Sequence, residues 1–243
     1  MASRHAWMIL EAVLVAASAG TGAGAGAGSA QAQAAPAVDI SKDHLCVTEG
    51  AVEKMSHNRL SVETVKMRAY VHGWTAQSIR ARFTYVGPTA EESPLGSGEV
   101  RRQFGLKLRA TNACNLVYVM WRFEPQSGIV VSVKRNPGQT TSSECGNRGY
   151  QNIRPRQSRG TPPVRPGDKH DLAADMRGTE LTVTVDGKQV WEGDAGPEAA
   201  DLFGPVGIRS DNVRLMLNLE AGQYSGPHPM FLAACESGPG VSD

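Results

Sequence analysis

The stretch "VDGKQVWEGDAGPEAADLFGPVGIRSDNVRLMLNLEA" (residues 185–221) determines the fold class more than any other part of the chain. Two runs with strand-like alternation flank the Asp-Gly pair at 186–187, which is typical of tight hairpin turns. Residues 196–203 predict one helical turn. The chain then turns at the polar corner 211–212 and closes on the alternating run "VRLMLNL". Such frequent reversals predict short antiparallel strands rather than helices.

The same two-residue period runs through the segment upstream of this stretch. "SIRARFTYV" (78–86) and "GEVRRQFGLKLRA" (98–110) alternate apolar and polar residues. "NLVYVMWRF" (115–123) and "IVVSVKRN" (129–136) flank the turn "EPQSG" and predict a hairpin. About ten antiparallel strands with regular turns therefore predict an all-β fold in which two antiparallel sheets form a sandwich.

The first 34 residues have the pattern of a signal peptide. Arg4 precedes an apolar run from Ala6 to Ala17, and Ala-x-Ala sites follow at 30–32 and 32–34. The apolar run is too short to span a bilayer, so we expect no stable membrane span. The sequence predicts a secreted or periplasmic protein. We expect an N-terminal extension (35–58), the sandwich (59–221) and an irregular C-terminal tail (222–243).

Four cysteines follow the predicted signal peptide, and an even number in an exported chain favours two disulfides. If Phe123 and Ile129 flank the hairpin turn, Cys114 lies opposite a residue near 138, within reach of Cys145. We therefore predict the pairs Cys114–Cys145 and Cys46–Cys235. Free buried thiols remain the alternative. The absence of a Cys-x-x-Cys pattern argues against zinc or redox chemistry.

Charge is unevenly distributed along the chain. Residues 101–165 contain twelve Lys or Arg and two acidic residues, whereas residues 166–243 contain five basic and thirteen acidic residues. This asymmetry is consistent with a basic surface that faces an anionic partner, and equally with charge complementation inside one fold. The basic loop 134–159 could contact nucleic acid, but predicted export and the acidic remainder argue against that partner.

The segment "GPVGIRSDNVRLMLNLEA" (204–221), together with the preceding Asp-Gly hairpin, resembles the C-terminal part of concanavalin A-like lectin/glucanase jelly rolls. That group includes laminin G-like modules. Over residues 59–221 the resemblance lies in the similar spacing of the predicted strands. It implies a jelly roll of two curved sheets whose concave face commonly holds a glycan, although fold alone does not fix function.

Alternation places cationic and phenolic side chains on one face of neighbouring predicted strands. We therefore hypothesise an exported carbohydrate-binding domain that recognises an anionic polysaccharide on its concave sheet. Among the aromatic candidates for stacking, Trp74, Tyr118 and Tyr150 remain open, whereas Trp121 alternates with valines and is expected in the core. A solvated sheet face is the alternative. The predicted ligand-binding residues are Arg101, Gln103, Lys107, Tyr118, Arg122, Lys134 and Asn136.

Two enzymatic alternatives follow from the resemblance. The glucanase motif needs carboxylates on one strand face, but the nearest string, residues 192–198, is broken by Gly-Pro. "GEVRR" resembles part of the Arg-x-Glu-x-Arg motif of jelly-roll alginate lyases, matching Glu99 and Arg101, whereas Ser97 replaces the first arginine. In a uronate lyase, Tyr118 would handle the proton, and Arg101 or Arg122 would neutralise the substrate carboxylate. The other two lyase strand motifs are absent.

A non-catalytic envelope or partner-binding domain is the third alternative. The six histidines show no ligand spacing, so no metal or other cofactor is expected. Asp186, Asp194 and Asp211 lie in predicted turns and could bind calcium as in some laminin G-like domains. Turn geometry alone also explains aspartate at these positions.

Overall fold

The computed structural model describes residues 37–72 and 75–222. Sixteen strands and two short α-helices lie in these ranges, with single 3-10 turns at Lys42–His44 and Ser56–Asn58. Within these ranges, no helix has the length and apolar character needed to cross a membrane. The strands are β1 (Ala37–Ile40), β2 (Leu45–Glu49), β3 (Glu53–Lys54), β4 (Leu60–Val62), β5 (Lys66–Val71), β6 (Ser78–Pro88), β7 (Arg102–Asn112), β8 (Asn115–Glu124), β9 (Gly128–Lys134), β10 (Tyr150–Asn152), β11 (Gln157–Ser158), β12 (Lys169–Arg177), β13 (Glu180–Val185), β14 (Lys188–Asp194), β15 (Gly207–Asp211) and β16 (Val213–Gly222), and the helices are α1 (Ser142–Cys145) and α2 (Pro197–Ala200).

The strands form two antiparallel sheets. One sheet has the order β11-β14-β13-β12-β6-β16-β4-β3, and β1 also pairs with β16; the other has the order β10-β9-β8-β7-β15-β5-β2. The predicted all-β two-sheet antiparallel jelly-roll sandwich is therefore confirmed. The strand number exceeds the ten expected because several added strands have only two to five residues. Three of them, β1 to β3, lie in the segment expected to precede the sandwich.

A single large core fills the space between the two sheets. The predicted alternation of β7 is confirmed, since Phe104, Leu106 and Leu108 are buried in this core. The central strand of the other sheet, β16, contributes alternate residues such as Leu217 from the opposite side. Trp121 is fully buried and packs edge-on against Phe123, which confirms its expected place in the core. The outward-facing side chains of β7 and β8 are thereby fixed on the other face of the seven-stranded sheet.

The turns predicted in residues 185–221 join the two sheets. Asp186 and Gly187 both have positive φ (51° and 73°), as a type I′ hairpin turn requires, and they connect β13 to β14. The corner at Asp211-Asn212 carries the chain from β15 in the seven-stranded sheet to β16 in the nine-stranded sheet. Asn212 is buried with φ 58°, and its side-chain amide donates to the carbonyls of Ser93 and Arg101 at 2.9 Å each. The corner therefore also anchors the loop between β6 and β7.

The predicted hairpin β8–β9 is confirmed, and so is the disulfide that was predicted from its register. Trp121 rather than Phe123 faces Ile129, because Gly128 extends β9 and pairs with Arg122. The predicted disulfide Cys114–Cys145 is present, with a Cα–Cα distance of 5.9 Å, and it joins the β7–β8 turn to α1. Cys46 lies buried in β2, and its predicted partner Cys235 lies outside the described residues.

Candidate functional site

The outer face of the seven-stranded sheet carries polar and charged side chains that are largely buried. Pairing between neighbouring strands aligns Arg122, Gln103 and Asp211 in one row across β8, β7 and β15. The adjacent row contains Arg209 of β15 opposite Arg68 of β5. Because buried charges must be paired or hydrogen-bonded, this face is an organised site rather than an ordinary solvated surface.

Asp211 is the centre of this charged cluster. Its Oδ1 accepts a 2.6 Å hydrogen bond from Arg68, and its Oδ2 accepts from Gln103 at 2.6 Å and from Arg209 at 3.0 Å. Burial alone would raise the pKa of the Asp211 carboxyl, but the positive charges of Arg209 and Arg68 lower it to about 2. Asp211 therefore remains ionised and holds two arginine side chains in fixed positions beneath the site.

The two arginines are fixed by further contacts. Arg68 also donates to the carbonyls of Ser210 at 2.7 Å and Met67 at 2.9 Å. Burial lowers the pKa of Arg209, but the negative charge of Asp211 outweighs it, so the pKa lies well above its ordinary value. Arg209 therefore keeps its positive charge, and each of the two guanidinium groups is oriented by more than one contact.

Two tyrosines lie beside these arginines. The rings of Tyr118 and Tyr150 are stacked, with centroids 6.0 Å apart and an interplanar angle of 24°. Arg209 lies over the Tyr118 ring at 5.1 Å, and Lys134 Nζ lies over the Tyr150 ring at 5.2 Å. Tyr118 is only 2% exposed, whereas Tyr150 is 38% exposed. Tyr150 therefore offers the accessible aromatic surface of the pair.

Tyr150 owes its position to a glycine. Gly149 has φ +75°, and a Cβ there would lie 2.4 Å from the carbonyl oxygen of Arg135. The Arg135 amide in turn donates to the Gly149 carbonyl at 2.9 Å, which holds the chain against β9. Since no other residue fits this approach without strain, Gly149 directs Tyr150 onto the face of the sheet. Burial raises the pKa of the Tyr150 hydroxyl to about 12, so the phenol is neutral near pH 7.

An open cavity of about 230 Å³ lies over these side chains. Four basic residues and one acidic residue line it, so the lining has an excess of positive charge, part of which Glu49 offsets by its 3.7 Å contact with Arg68. Asp211 below adds a second carboxylate, and the cations still outnumber the acids. Ser142 and Asn147 add hydroxyl and amide groups at the rim. The basic lining residues are Lys66, Arg68, Lys134 and Arg209.

Two loops form the walls of the cavity. One wall contains Ser142, Gly146 and Asn147 and is held to the sheet by the disulfide Cys114–Cys145. The other wall contains Leu95 and Gly96, in the loop anchored by Asn212. The two walls meet where Gly96 faces Asn147, because a Cβ on Gly96 would lie only 3.1 Å from the Asn147 Cβ. One wall begins with the short helix α1 and the rest of both walls is loop, so the disulfide and Asn212 hold the walls in place.

The structure brings most of the predicted ligand-binding residues to one face. Gln103, Lys107, Tyr118 and Lys134 all lie on the outer face of the seven-stranded sheet, each no more than 3% exposed. Of these four, Tyr118 and Lys134 line the cavity. Gln103 does not line the cavity, and its side-chain amide donates a hydrogen bond to Asp211.

The remaining predicted residues lie around the cavity. Arg101 pairs with Glu99 at the start of β7, and Arg122 lies next to Gln103. Asn136 donates from its side-chain amide to the carbonyls of Cys114 at 3.1 Å and Arg148 at 3.0 Å, which ties the cavity loop to the β7–β8 turn. The structure thus gives Asn136 a role in holding the loop.

Sequence reasoning missed Arg68 and Arg209, which form the floor of the cavity, and the lining residues Lys66 and Glu49. Arg209 and Asp211 alternate with the buried Ile208, which is the available sequence indication that both point away from the core. Arg68 alternates with the buried Met67 and Ala69 of β5 and gives the same indication. Trp74, a stacking candidate, lies outside the described residues.

The three aspartates considered for calcium lie in separate environments. Asp186 accepts from the amide of Asp171 and contacts His170, Asp194 accepts from the amide of Gly196, and Asp211 lies in the arginine cluster. Within residues 37–72 and 75–222, no group of three or more His, Cys, Asp or Glu side chains is arranged to hold a metal ion.

No protein-family model matches this chain, and no curated protein matches it in sequence. Solved structures with similar architecture include a carbohydrate-binding module, CBM66, from Bacillus subtilis (10% identity, 72% of this chain and 91% of that chain, TM-score 0.48). A galectin from Caenorhabditis elegans has 11% identity over 71% of this chain and all of its own, with a TM-score of 0.40. A putative glycosyl hydrolase from Parabacteroides distasonis has 8% identity over 76% of this chain and 90% of its own, with a TM-score of 0.44. At these identities the similarity concerns the fold alone.

Proposed function

We propose that this protein binds carbohydrate in the cavity over the seven-stranded sheet, and that the ligand carries an acidic group such as the carboxylate of a uronate. The observation that carries this proposal is the set of four basic side chains around a partly exposed tyrosine. A carboxylate suits the cations, and the apolar face of a sugar ring suits an exposed aromatic ring.

The other groups in the cavity fit a ligand with many hydroxyls. Ser142, Asn147 and Glu49 supply hydroxyl, amide and carboxylate groups around the cations. A small number of convergent polar groups around an aromatic surface is the usual composition of a specific ligand site. The arginines are held by Asp211 before any ligand arrives, so little ordering would be needed on binding.

Export is part of this proposal. The disulfide Cys114–Cys145 supports an oxidising compartment, where such bonds form and persist. We propose that the chain is secreted or periplasmic and that residues 1–34 are removed. Mass spectrometry of the N-terminal peptide from the exported protein tests this, and a chain that retains residue 1 in the cell would contradict it.

The uronate lyase alternative needs a group that removes a proton. Burial raises the pKa of Tyr150 to about 12, which favours its neutral form. Tyr118 is only 2% exposed, and its ring contacts Arg209 and Tyr150. These surroundings favour binding over elimination. Ultraviolet absorbance of an unsaturated product, measured over a panel of uronic polymers, would reveal a lyase.

The direct test is calorimetric titration with oligogalacturonate and with its methyl ester, which lacks the negative charges. We expect the wild-type protein to bind the acid and not the ester. Tyr150→Ala should weaken binding about ten-fold or more, through loss of the stacking surface. Tyr150→Phe keeps the ring and should bind nearly as well as the wild type. Equal binding of acid and ester, or no effect of Tyr150→Ala, would overturn the proposal.

A further inference from the structure

Two arginines lie next to the cavity on the same face of the sheet. Arg122 of β8 pairs with Gln103 of β7, and Arg101 immediately precedes β7. The Nε of Arg122 is buried and has no hydrogen-bond partner among the described residues. Such an atom costs free energy unless a further group binds to it.

The surroundings of Arg122 are cationic. Burial is the main cause that lowers the pKa of Arg122, and the charge of Arg101 lowers it further. Burial also lowers the pKa of Arg101, and the charge of Arg209 adds to this effect. The buried carboxylate in the same row, Asp211, is already bound by Arg68, Arg209 and Gln103. Arg101 contacts Glu99, whose side chain is more than half exposed. Among the described residues, Glu99 and the charge of Asp211, which raises the pKa of Arg101, offset part of this repulsion, and an anion that binds between Arg101 and Arg122 would relieve more of it.

The position of this pair separates it from the cavity. Arg122 lies on β8 and Arg209 on β15, with β7 between them. Two inter-strand spacings correspond to roughly 10 Å. Neither Arg101 nor Arg122 lines the cavity, so acidic groups on different sugars of one chain could occupy the cavity and this pair at the same time.

We propose that Arg101 and Arg122 form a second anion subsite, so that the protein recognises a polyuronate chain rather than a single acidic sugar. This inference rests on the proposed function of the cavity. The cavity would bind one acidic residue of the chain, and Arg122, with its unpartnered Nε, would bind the carboxylate of another.

The experiment compares galacturonate monomer with its trimer by calorimetry. We expect the wild type to bind the trimer at least about ten-fold more tightly than the monomer, the gain typical of one charge-assisted contact. Arg122→Gln should remove that preference and leave monomer affinity unchanged. Arg122→Lys keeps the charge but loses the planar guanidinium, which can donate two parallel hydrogen bonds to a carboxylate. It should therefore retain part of the preference for the trimer.

Arg80→Gln is the matched control. Arg80 lies on β6 in the other sheet, with its side chain 45% exposed and paired with Asp171. The same change of charge there should alter neither affinity. Thermal unfolding of each variant verifies that the fold is intact.

Four results would count against the inference. A trimer preference that survives Arg122→Gln would overturn it, as would an equal loss for monomer and trimer, which would place Arg122 in the cavity itself. Wild-type protein that binds monomer and trimer equally would overturn the second subsite and leave the proposed function standing. Wild-type protein that binds neither would overturn both.

Discussion

Replacing Asp211 by asparagine tests whether the charged cluster holds the site together. The substitution keeps the size of the side chain and removes its charge. Asp211 is buried, as is Arg68, and Arg209 is nearly so. Removing one partner of a buried ion pair leaves an uncompensated charge and typically costs about 3–5 kcal/mol. We expect a loss of that size in the free energy of unfolding at pH 7.

The same residue predicts how stability depends on pH. The pKa of Asp211 is about 2 in the folded protein, below its ordinary value of 3.8. A group with a lowered folded pKa stabilises the protein above its unfolded pKa, and this contribution is lost as pH falls through the folded pKa. The difference between the two pKa values corresponds to about 2 kcal/mol. As the pH falls from 5 to 2, the free energy of unfolding of Asp211→Asn should therefore decrease by about 2 kcal/mol less than that of the wild type.

Urea denaturation followed by circular dichroism measures both quantities. Asp175→Asn is the control, since Asp175 forms an exposed pair with Arg177 and its loss should cost under about 1 kcal/mol. If Asp211→Asn costs no more than this control, or if its pH dependence matches that of the wild type, the cluster does not stabilise the sheet as described.

The remaining predictions concern the cavity wall, the core and the ionic character of binding. Cys145→Ser opens a disulfide with a sequence separation of 31 residues, and should cost about 3–4 kcal/mol and weaken ligand binding; unchanged affinity would show that the wall does not matter. Leu217→Ala, in the core, should cost about 2–5 kcal/mol without changing ligand affinity in the folded protein, and a selective loss of binding would contradict this. Oligouronate affinity should fall as salt rises from low ionic strength, because exposed charges are screened, and a salt-independent affinity would argue against an acidic ligand. Gly149→Ala should displace Tyr150 and weaken binding to the degree seen for Tyr150→Ala, and wild-type affinity would contradict the described role of Gly149.

The fold was predictable because its main strands alternate regularly. Phe104, Leu106 and Leu108 define the core face of β7, which at once places Gln103 and Lys107 on the other face. The type I′ turn at 186–187 and the disulfide follow from local rules, since turn chemistry and hairpin register act over short distances. The short strands in residues 37–54 were missed because they gain order from pairing with β4, β5 and β16, not from their own pattern.

The floor of the site was not predictable in the same way. Arg68 and Asp211 are 143 residues apart and meet because β15 lies between β5 and β7. That strand order is a property of the whole sandwich, and no local pattern encodes it. Tyr118 and Lys134 were found because they lie on neighbouring strands of one hairpin, whereas the contact of Tyr118 with Arg209 needs the same long-range pairing.

We propose that the cavity over the seven-stranded sheet binds an acidic carbohydrate. Titration of isotope-labelled protein with galacturonate trimer, followed by amide chemical shifts, tests it most directly. We expect the largest changes at Lys134, Tyr150 and Arg209, and little change on the outer face of β12 and β13. Changes concentrated on that opposite sheet, or no changes at a saturating concentration of trimer, would contradict it.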